Sequence, residues 1–552
     1  MGEPSVDRRS FVTRTVSAAA ALSCGSGTAA EPTQKPNSAV ASEPPGTPCG
    51  VASGDVTHDT AVVWSRTDGS AKMVVEYATT ADFRQPRRAE PVAATPEADF
   101  TAKALLAGLP PGHTIYYRVW FDDNGRVSPP VSGRFRTAPA PDKPADVFFA
   151  WSGDTAGQGF GINPEWGGMR IYDAIRRLEP QFFLHSGDNI YADNPIPESL
   201  KLADGTIWRN VTTPAKSHQA VTLEDFRGNY RYNLLDEHVR RFNAEVPTIV
   251  QWDDHEVANN WYPDQAIAGR KDAVNLPGVR DGRALADRAR QAFFEYLPIK
   301  PQEADRGRIY RSFQLGTSAE LFVLDQRSYR GPNSANTQDR PGRETPFLGG
   351  EQLAWLKQGL RESKATWKII ASDMPIGLIV DDAVDGKPHF EAIANADPGS
   401  PRGRELEFAD LFTDLKQGGV RNVVWLTADV HYAAALHYSP ERAGFKSPFE
   451  PFWEFVAGPM HAGTFGPNKL DATFGPEVRF EYAPRAGLLL PTGRTVPEGF
   501  KLPLPPSDGM QTFGTVRIDA VTQTLTVEFR NVFGDRIHDG TRIGRFELQV
   551  AK

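Results

Sequence analysis

Six segments of this sequence place an aspartate directly after a short apolar run, and they carry the residues best suited to chemistry. The aspartates and their neighbours are Asp154, Asp188, Asp253-Asp254-His255-Glu256, Asp325, Asp373 and Asp429-Val430-His431. A single aspartate after a strand usually caps a helix or a turn. Six that converge on one edge of a sheet would repel one another and raise their own pKa values unless cations neutralised them. The pattern therefore predicts a polynuclear metal site.

Composition limits which atoms can hold such a metal. The 552-residue chain contains two cysteines, Cys24 and Cys49, which excludes a cysteine-rich zinc site and a disulfide scaffold. Its 61 basic and 69 acidic residues give a net charge of −8, which offers no reason to expect a nucleic-acid partner. No apolar run approaches the ~20 residues of a membrane span. Any metal must be held mainly by oxygen and imidazole.

The apolar runs that precede the aspartates predict the elements that position them. Short, nearly continuous runs are typical of strands buried on both faces. They are Val147–Trp151, Gln181–His185, Thr248–Trp252, Leu321–Leu324, Trp367–Ala371 and Val423–Thr427. Helical periodicity over Met169–Leu178 and Gln352–Leu360 lies between some of them, and alternation over Thr515–Ile518 and Leu525–Phe529 predicts closing strands. We expect a layered α/β domain over residues 145–552, with the aspartates at its strand ends.

Residues 49–137 have a different pattern, in which apolar and polar residues alternate over short runs. Examples are Ala61–Trp64, Met73–Tyr77 and Thr114–Trp120, with a Gly-Leu-Pro-Pro-Gly turn at residues 108–112. This pattern predicts a β-sandwich, and the turn before an aromatic strand resembles a fibronectin type III domain. The Pro-rich residues 138–144 predict a stiff linker to the second domain.

The N-terminus predicts an export signal. Arg8-Arg9-Ser10-Phe11 precedes a weakly apolar, alanine-rich stretch, so we interpret residues 1–30 as a twin-arginine signal and residues 31–48 as a flexible linker. The predicted partner is the twin-arginine export machinery, and the predicted location is periplasmic or secreted. Ala21-Leu22-Ser23-Cys24 resembles an imperfect lipoprotein box, so a lipid anchor on Cys24 remains the alternative.

The motifs around the aspartates resemble those of the dimetal phosphoesterases, and more narrowly of the alkaline phosphatase D (PhoD-type) family. That family also includes an iron-dependent bacterial phospholipase D, and the related purple acid phosphatases share its GDxxY signature. The motifs are Ser152-Gly153-Asp154, Gly187-Asp188-Asn189-Ile190-Tyr191, Trp252-Asp253-Asp254-His255-Glu256 and Ala428-Asp429-Val430-His431-Tyr432. The resemblance implies a four-layer αββα metallophosphoesterase domain behind a fibronectin-III-like β-sandwich, and hydrolysis of phosphate esters.

The resemblance also implies the metal ligands. An Fe³⁺ site would take Asp154, Asp188, Tyr191 and His431. A second metal would share Asp188 and add Asp254, Asp373 and Asp429. The family commonly has cysteine where Asp154 stands, and dimetal phosphoesterases often use Asn or His at the second site. The extra carboxylates make that site harder, which favours Ca²⁺, with Mg²⁺ or Mn²⁺ as alternatives.

Two further residues are predicted to act on the substrate. Cations bridged by a carboxylate would hold a hydroxide that attacks phosphorus. His255 would protonate the leaving oxygen or stabilise the transition state, with Glu256 orienting it. Arg327 would bind the phosphate through its guanidinium fork; a surface arginine without a role is the open alternative.

Three functions are consistent with these residues. The first is an exported alkaline phosphatase that hydrolyses phosphomonoesters, phosphodiesters or both, and the second is a phospholipase D-like phosphodiesterase acting on phospholipid head groups. The third is a non-catalytic surface protein whose carboxylates bind Ca²⁺. The insertions at residues 204–220 and 461–505 would roof the site and select the substrate. The histidine and tyrosine among the predicted ligands favour an enzyme over the calcium-binding protein. Structural calcium sites use carboxylate, carbonyl and water oxygens and have little use for imidazole.

Overall fold

The N-terminal region is a β-sandwich. A computed structural model describes residues 43–265, 282–305, 307–382 and 386–551; the predicted export signal and Cys24 lie outside them. In strand β7, every second residue from Ile115 to Phe121 is buried and packs with Val63 and Val75, as alternation predicted. The strands of this region are β1 (Val51–Gly54), β2 (Thr60–Arg66), β3 (Ala71–Ala78), β4 (Arg87–Arg88), β5 (Val92–Ala94), β6 (Thr101–Ala107), β7 (Thr114–Asp123), β8 (Arg126–Val127) and β9 (Val131–Arg136).

The remaining strands form most of two large sheets. They are β10 (Val147–Ser152), β11 (Phe182–Ser186), β12 (Ser199–Lys201), β13 (Ile207–Arg209), β14 (Thr248–Gln251), β15 (Arg311–Leu315), β16 (Ala319–Val323), β17 (Trp367–Ala371), β18 (Val423–Thr427), β19 (Ala433–Tyr438), β20 (Phe452–Val456), β21 (Pro476–Tyr482), β22 (Thr512–Ile518), β23 (Leu525–Asn531) and β24 (Arg545–Leu548). All six predicted buried runs are strands, and β17 and β18 begin and end where the sequence placed them.

The first large sheet joins the two regions of the chain. Its nine strands lie in the order β24-β23-β22-β10-β11-β14-β1-β2-β6. Strands β10, β11 and β14 are mutually parallel neighbours, and the tail strand β22 is antiparallel to β10. Strand β1 pairs in parallel with β14 through Gly54 and Thr248. One of the two sheets of the β-sandwich, made of β1, β2 and β6, is therefore continuous with the sheet that carries the aspartates.

The second large sheet faces the first, and helices cover both outer faces. Its order is β15-β16-β17-β18-β20-β19-β21, with β16, β17 and β18 mutually parallel. Phe149, Leu184 and Leu321 belong to the core between the sheets. The helices are α1 (Ile171–Arg176), α2 (Leu223–Asn233), α3 (Glu237–Glu245), α4 (Gly282–Tyr296), α5 (Pro301–Asp305), α6 (Gly350–Glu362) and α7 (Glu405–Gln417). Helices α1 to α4 pack on the nine-stranded sheet, and α6 and α7 pack on the other, which gives the expected αββα layers.

The two predicted insertions meet each other beside the strand ends. Arg494 donates a hydrogen bond to Asp204 at 2.8 Å, which joins the later insertion to the β12–β13 hairpin. From the earlier insertion, the buried ammonium of Lys216 donates to the carbonyl of Tyr191 at 2.7 Å. Within the described residues, no helix combines the length and apolar character needed to cross a bilayer.

Candidate metal centre

The aspartate segments meet where both large sheets present the carboxyl ends of parallel strands. The segments that contain Asp154, Asp188 and Asp253 follow strands β10, β11 and β14, which are neighbours in the first sheet. Those of Asp325, Asp373 and Asp429 follow β16, β17 and β18, which are neighbours in the second sheet. Because the sheets face each other, six loops converge at one end of the domain.

Tight turns at the strand ends aim the side chains inward. Asp154, Asp188, Asp429 and His431 adopt positive φ angles of 68°, 51°, 63° and 63°. This left-handed region is uncommon for residues other than glycine, although Asp and His are enriched among the exceptions. The glycine of the second Gly-Asp motif is required for space, because a Cβ on Gly187 would lie 2.4 Å from that of Asp253.

One group of predicted ligands is assembled as the sequence implied. Potential ligand atoms of Asp154, Asp188 and His431 all lie within 4.8 Å of one another. The Tyr191 hydroxyl lies 2.9 Å from Nε2 of His431, and that nitrogen is 3.3 Å from Oδ1 of Asp154. All four side chains are buried. We call these four residues the phenolate half of the centre.

A second group of side chains adjoins the first and differs from the predicted ligands of the second metal. Asp253, Asp254 and Asp429 have ligand atoms within 4.8 Å of one another, and we call these three residues the carboxylate-rich half. Asp188 forms a further group with Asp254 and His255. Asp188 thus contributes to groups in both halves. The predicted ligand Asp373 belongs to none of these groups; its Oδ2 lies 3.7 Å from Nε of Arg327. Asp253, to which the sequence analysis gave no role, is part of the cluster.

His255 is oriented by Asp193. Its Nδ1 lies 2.6 Å from Oδ1 of Asp193, and its ring stacks on Tyr191 with centroids 4.1 Å apart. Burial opposes protonation of His255, but the carboxylates of Asp193 and Asp254 outweigh it and raise the pKa to about 10. The carboxylate of Asp193 therefore holds the imidazole in place and favours its protonated form.

The expectation that Glu256 orients His255 is wrong. Glu256 turns away from the imidazole and accepts hydrogen bonds from the backbone N–H groups of Asp188, Asn189 and Asp253, at 3.2, 2.6 and 2.8 Å. Its carboxylate therefore fastens two of the ligand loops together. The two residues are adjacent in the sequence, but their side chains bind different partners.

Arg327 is neither a surface arginine nor open to solvent. Its side chain is 0% exposed. Its Nε donates to Asp253 at 2.5 Å and its Nη1 donates to Glu391 at 3.0 Å. Burial opposes its charge, but Asp253 and Glu391 raise the pKa of its guanidinium well above the ordinary value. Arg327 therefore lies behind the carboxylate-rich half as a permanent cation.

The charge balance of the centre fits bound cations. Burial, and then the charges of Asp254 and Asp253, raise the pKa of Asp188 well above its ordinary value. Burial and the nearby aspartates also raise the pKa of the Tyr191 hydroxyl. One oxygen of Asp154 and both oxygens of Asp373 have no hydrogen-bond donor within the described residues. A set of carboxylate, phenol and imidazole groups with unused oxygens suits hard metal ions, which would reverse these shifts.

Several residues around the centre escaped the sequence analysis. Asp193 lies two positions after Tyr191 and could have been found as a neighbour of the GDxxY motif. Glu391 and Asn333 carry no local signal, because each meets the centre through residues more than 60 positions away. The motifs thus contain the clustered side chains but not the residues that support them.

Comparisons with known proteins agree with this architecture. The model of the family "PhoD-like phosphatase" matches residues 149–529, and that of its N-terminal domain matches residues 32–139. The sequence is 29% identical to alkaline phosphatase D of Bacillus subtilis (strain 168) over 455 residues, which cover 76% of this chain and 70% of that protein.

Two solved structures share the fold. A structure of PhoD superposes with a TM-score of 0.66 at 22% identity, covering 94% of this chain and 92% of the other. The purple acid phosphatase PPD1 from yellow lupin (Lupinus luteus) seeds gives 0.52 at 13% identity, covering 92% of this chain and 74% of the other.

Proposed function

The chain belongs to the PhoD-like phosphatase family, and we propose that it is an exported alkaline phosphatase that hydrolyses phosphomonoesters, phosphodiesters or both at a mixed-metal centre. As a member of the family it is a metal-dependent phosphoesterase that acts on phosphate esters. The metals, the ester class, the mechanism and the export route are the proposed parts.

The single observation that carries the proposal is the position of Asp188. Its carboxylate belongs to a group with Asp154 and His431 and to another with Asp254 and His255. A carboxylate has two oxygens and can bind two cations at once. Asp188 is therefore our candidate for the ligand shared by two metal ions.

We assign Fe³⁺ to the phenolate half and a divalent ion to the carboxylate-rich half. The buried phenol of Tyr191 beside His431 supports the first assignment, because a hard anionic oxygen with imidazole suits a trivalent ion. Asp188, Asp254 and Asp429 support Ca²⁺ in the second, with Mg²⁺ or Mn²⁺ as the alternatives. Asp373 remains a proposed ligand, because both its oxygens are buried and have no hydrogen-bond donor among the described residues. When bound, the cations would polarise the phosphoryl oxygens and lower the pKa of a coordinated water.

The chain's own residues supply the remaining roles. His255, protonated and held by Asp193 at 2.6 Å, donates its proton to the leaving oxygen of the ester. Arg327 was predicted to bind the phosphate directly, but its contacts with Asp253 and Glu391 favour a positioning role. We propose that Arg327 fixes the orientation of Asp253 and offsets the negative charge of the carboxylates around it.

Export rests on the sequence of residues 1–30. The Arg8-Arg9 motif and the alanine-rich stretch after it support the twin-arginine route, which carries folded proteins and would allow metal loading before transport. Replacing both arginines by lysine should leave the protein in the cytoplasm. Labelling with a radioactive fatty acid would distinguish a lipid-anchored Cys24 from a cleaved, released form.

The test of the proposed function is hydrolysis before and after metal removal. Chelator-treated protein should lose activity on aryl phosphate monoesters and diesters and regain it with Fe³⁺ plus Ca²⁺. A rate ratio that favours the monoester indicates a phosphatase, and one that favours the diester indicates a phosphodiesterase of the phospholipase D-like kind. Metal-replete protein that hydrolyses neither ester would refute the proposed ester classes.

A further inference from the structure

Two carboxylates of the metal centre are held from behind by the same hydrogen-bonded ring. The ring begins at Asp253, which accepts from Arg327, and Arg327 in turn donates to Glu391. The main-chain carbonyl of Glu391 accepts from Arg330 and from Arg404, the latter at 2.6 Å. All of these side chains are buried. Three guanidinium groups therefore converge on one residue behind the carboxylate-rich half.

Asn333 connects these arginines to the other side of the centre. Its Oδ1 accepts from Arg330 at 3.0 Å and from Arg404 at 2.7 Å. Its Nδ2 donates to Asp382 at 2.9 Å and to the carbonyl of Asn260 at 3.0 Å. An amide side chain can accept two hydrogen bonds and donate two. Asn333, which is 6% exposed, uses all four.

Asn260 closes the ring on the second carboxylate. Its Nδ2 donates to Asp382 at 2.8 Å, and its backbone N–H donates to Asp254 at 2.5 Å. Asn260 itself has a φ of 57°, a conformation that asparagine adopts more readily than most residues. The orientation of its N–H toward Asp254 thus depends on the side chains that hold this turn, and Asn333 contacts the turn directly.

We propose that Asn333 is a positioning residue that sets the affinity of the carboxylate-rich half for its divalent cation. It ties the turn that holds Asp254 to the arginines that hold Asp253, so the two carboxylates keep one fixed separation. The phenolate half meets this ring at the shared Asp188, which lies in one ligand group with Asp254. The Tyr191–His431 and His431–Asp154 contacts of that half involve no residue of the ring. The inference rests on the proposed function, because it requires that a divalent ion binds there.

The test is the substitution Asn333→Asp, which changes one atom and no volume. The aspartate keeps the oxygen that accepts from both arginines, but it replaces both donors and places a carboxylate against Asp382. The apparent Kd of the chelator-treated, iron-loaded protein for Ca²⁺ should rise roughly 10- to 100-fold, the usual effect of losing an outer ligand contact. The visible iron–tyrosinate absorption should stay unchanged, because within the described residues Tyr191 and His431 make no hydrogen bond to the residues of the ring that Asn333 holds.

A second substitution tests for rescue. The double variant that adds Asp382→Asn to Asn333→Asp restores a hydrogen-bond donor opposite the new carboxylate. It also returns the local charge to its original value. Ca²⁺ affinity should recover by most of the loss. If Asn333→Asp fails to fold, Asn260→Gly removes one bond of the ring while preserving a backbone that tolerates positive φ, and it should also weaken Ca²⁺ binding without altering the absorption.

The matched control is Asn531→Asp. Asn531 is also 6% exposed, and its Oδ1 accepts the backbone N–H groups of Phe533 and Asp535. The Asn531→Asp variant should bind Ca²⁺ with the same affinity as the unaltered protein. Unchanged affinity in folded Asn333→Asp, or equal loss of Ca²⁺ binding and iron absorption, would overturn the inference. Absence of Ca²⁺, Mg²⁺ and Mn²⁺ binding in the unaltered protein would instead refute the proposed divalent site.

Discussion

Replacing Asp193 by asparagine tests whether His255 protonates the leaving oxygen. One oxygen of Asp193 lies 2.6 Å from Nδ1 of His255, and the other accepts the backbone N–H of Asn259 at 2.8 Å. Asparagine has the same shape but no charge. The variant should therefore keep its place in the loop while holding an imidazolium less tightly.

The contacts set the size of the effect. A hydrogen bond to a charged group contributes about 1.5–3 kcal/mol, which corresponds to a roughly 10- to 150-fold loss of kcat at 1.36 kcal/mol per factor of ten. Because Asp193 raises the pKa of His255, the substitution lowers it. A general acid works only when protonated, so activity should decline at a lower pH in the variant than in the unaltered protein.

The assay compares two leaving groups with bound metal measured alongside. An alkyl phosphate needs a proton on its leaving oxygen and should show the full loss, whereas a nitrophenyl phosphate leaves as a stable anion and should lose little. Asp225→Asn is the control, because Asp225 pairs with the exposed His218 at 3.1 Å outside the centre, and it should change neither rate. Equal losses on both substrates would refute the acid role and make Asp193 a support of the metal centre.

Four further substitutions should have distinct outcomes. Asp188→Asn should release metal and abolish turnover, because a neutral amide cannot bridge two cations. Elemental analysis measures the bound metal, and retained activity would contradict the shared-ligand assignment. Tyr191→Phe should remove any visible absorption while the far-ultraviolet circular dichroism stays unchanged. Asp55→Asn breaks the buried bridge to Arg311 (2.7 Å) and should lower the free energy of unfolding in urea by about 3–5 kcal/mol. Burial and then Asp471 raise the pKa of Glu405 from 4.5 to about 8. The folded protein therefore holds this proton more tightly than the unfolded chain, and the free energy of unfolding should fall as pH rises between these values. Glu405→Gln should flatten that pH dependence in urea titrations.

Much of the fold was predictable because its strands carry a local signal. Runs such as Trp367–Ala371 are buried on both faces, so nearly every residue is apolar and the strand ends are sharp. The pairing of Gly54 with Thr248 was not predictable. It joins residues far apart in the chain, and the short strand β1 gives no indication that its neighbour lies in the second region.

The candidate ligands were predictable for a related reason. Positive φ at Asp154 and Asp188, and the tight space around Gly187, confine these turns to few residue types, so recognisable motifs result. The role of Glu256 was predicted wrongly because adjacency to His255 says nothing about which way each side chain leaves a turn.

The roles of the supporting residues could not be predicted, even for Arg327, which had been singled out as a phosphate ligand, and their chemistry explains why. Arg327 offsets charge on Asp253 from a loop of the opposite sheet, and any buried cation that reached the same oxygen would serve. Asn333 matters only because two arginines, Asp382 and the Asn260 carbonyl surround it. Elsewhere the same residue would be an ordinary loop asparagine. The carboxylate-rich half thus depends on partners that no local pattern specifies. Two proteins with identical ligand motifs could therefore differ in metal affinity through these supporting residues alone.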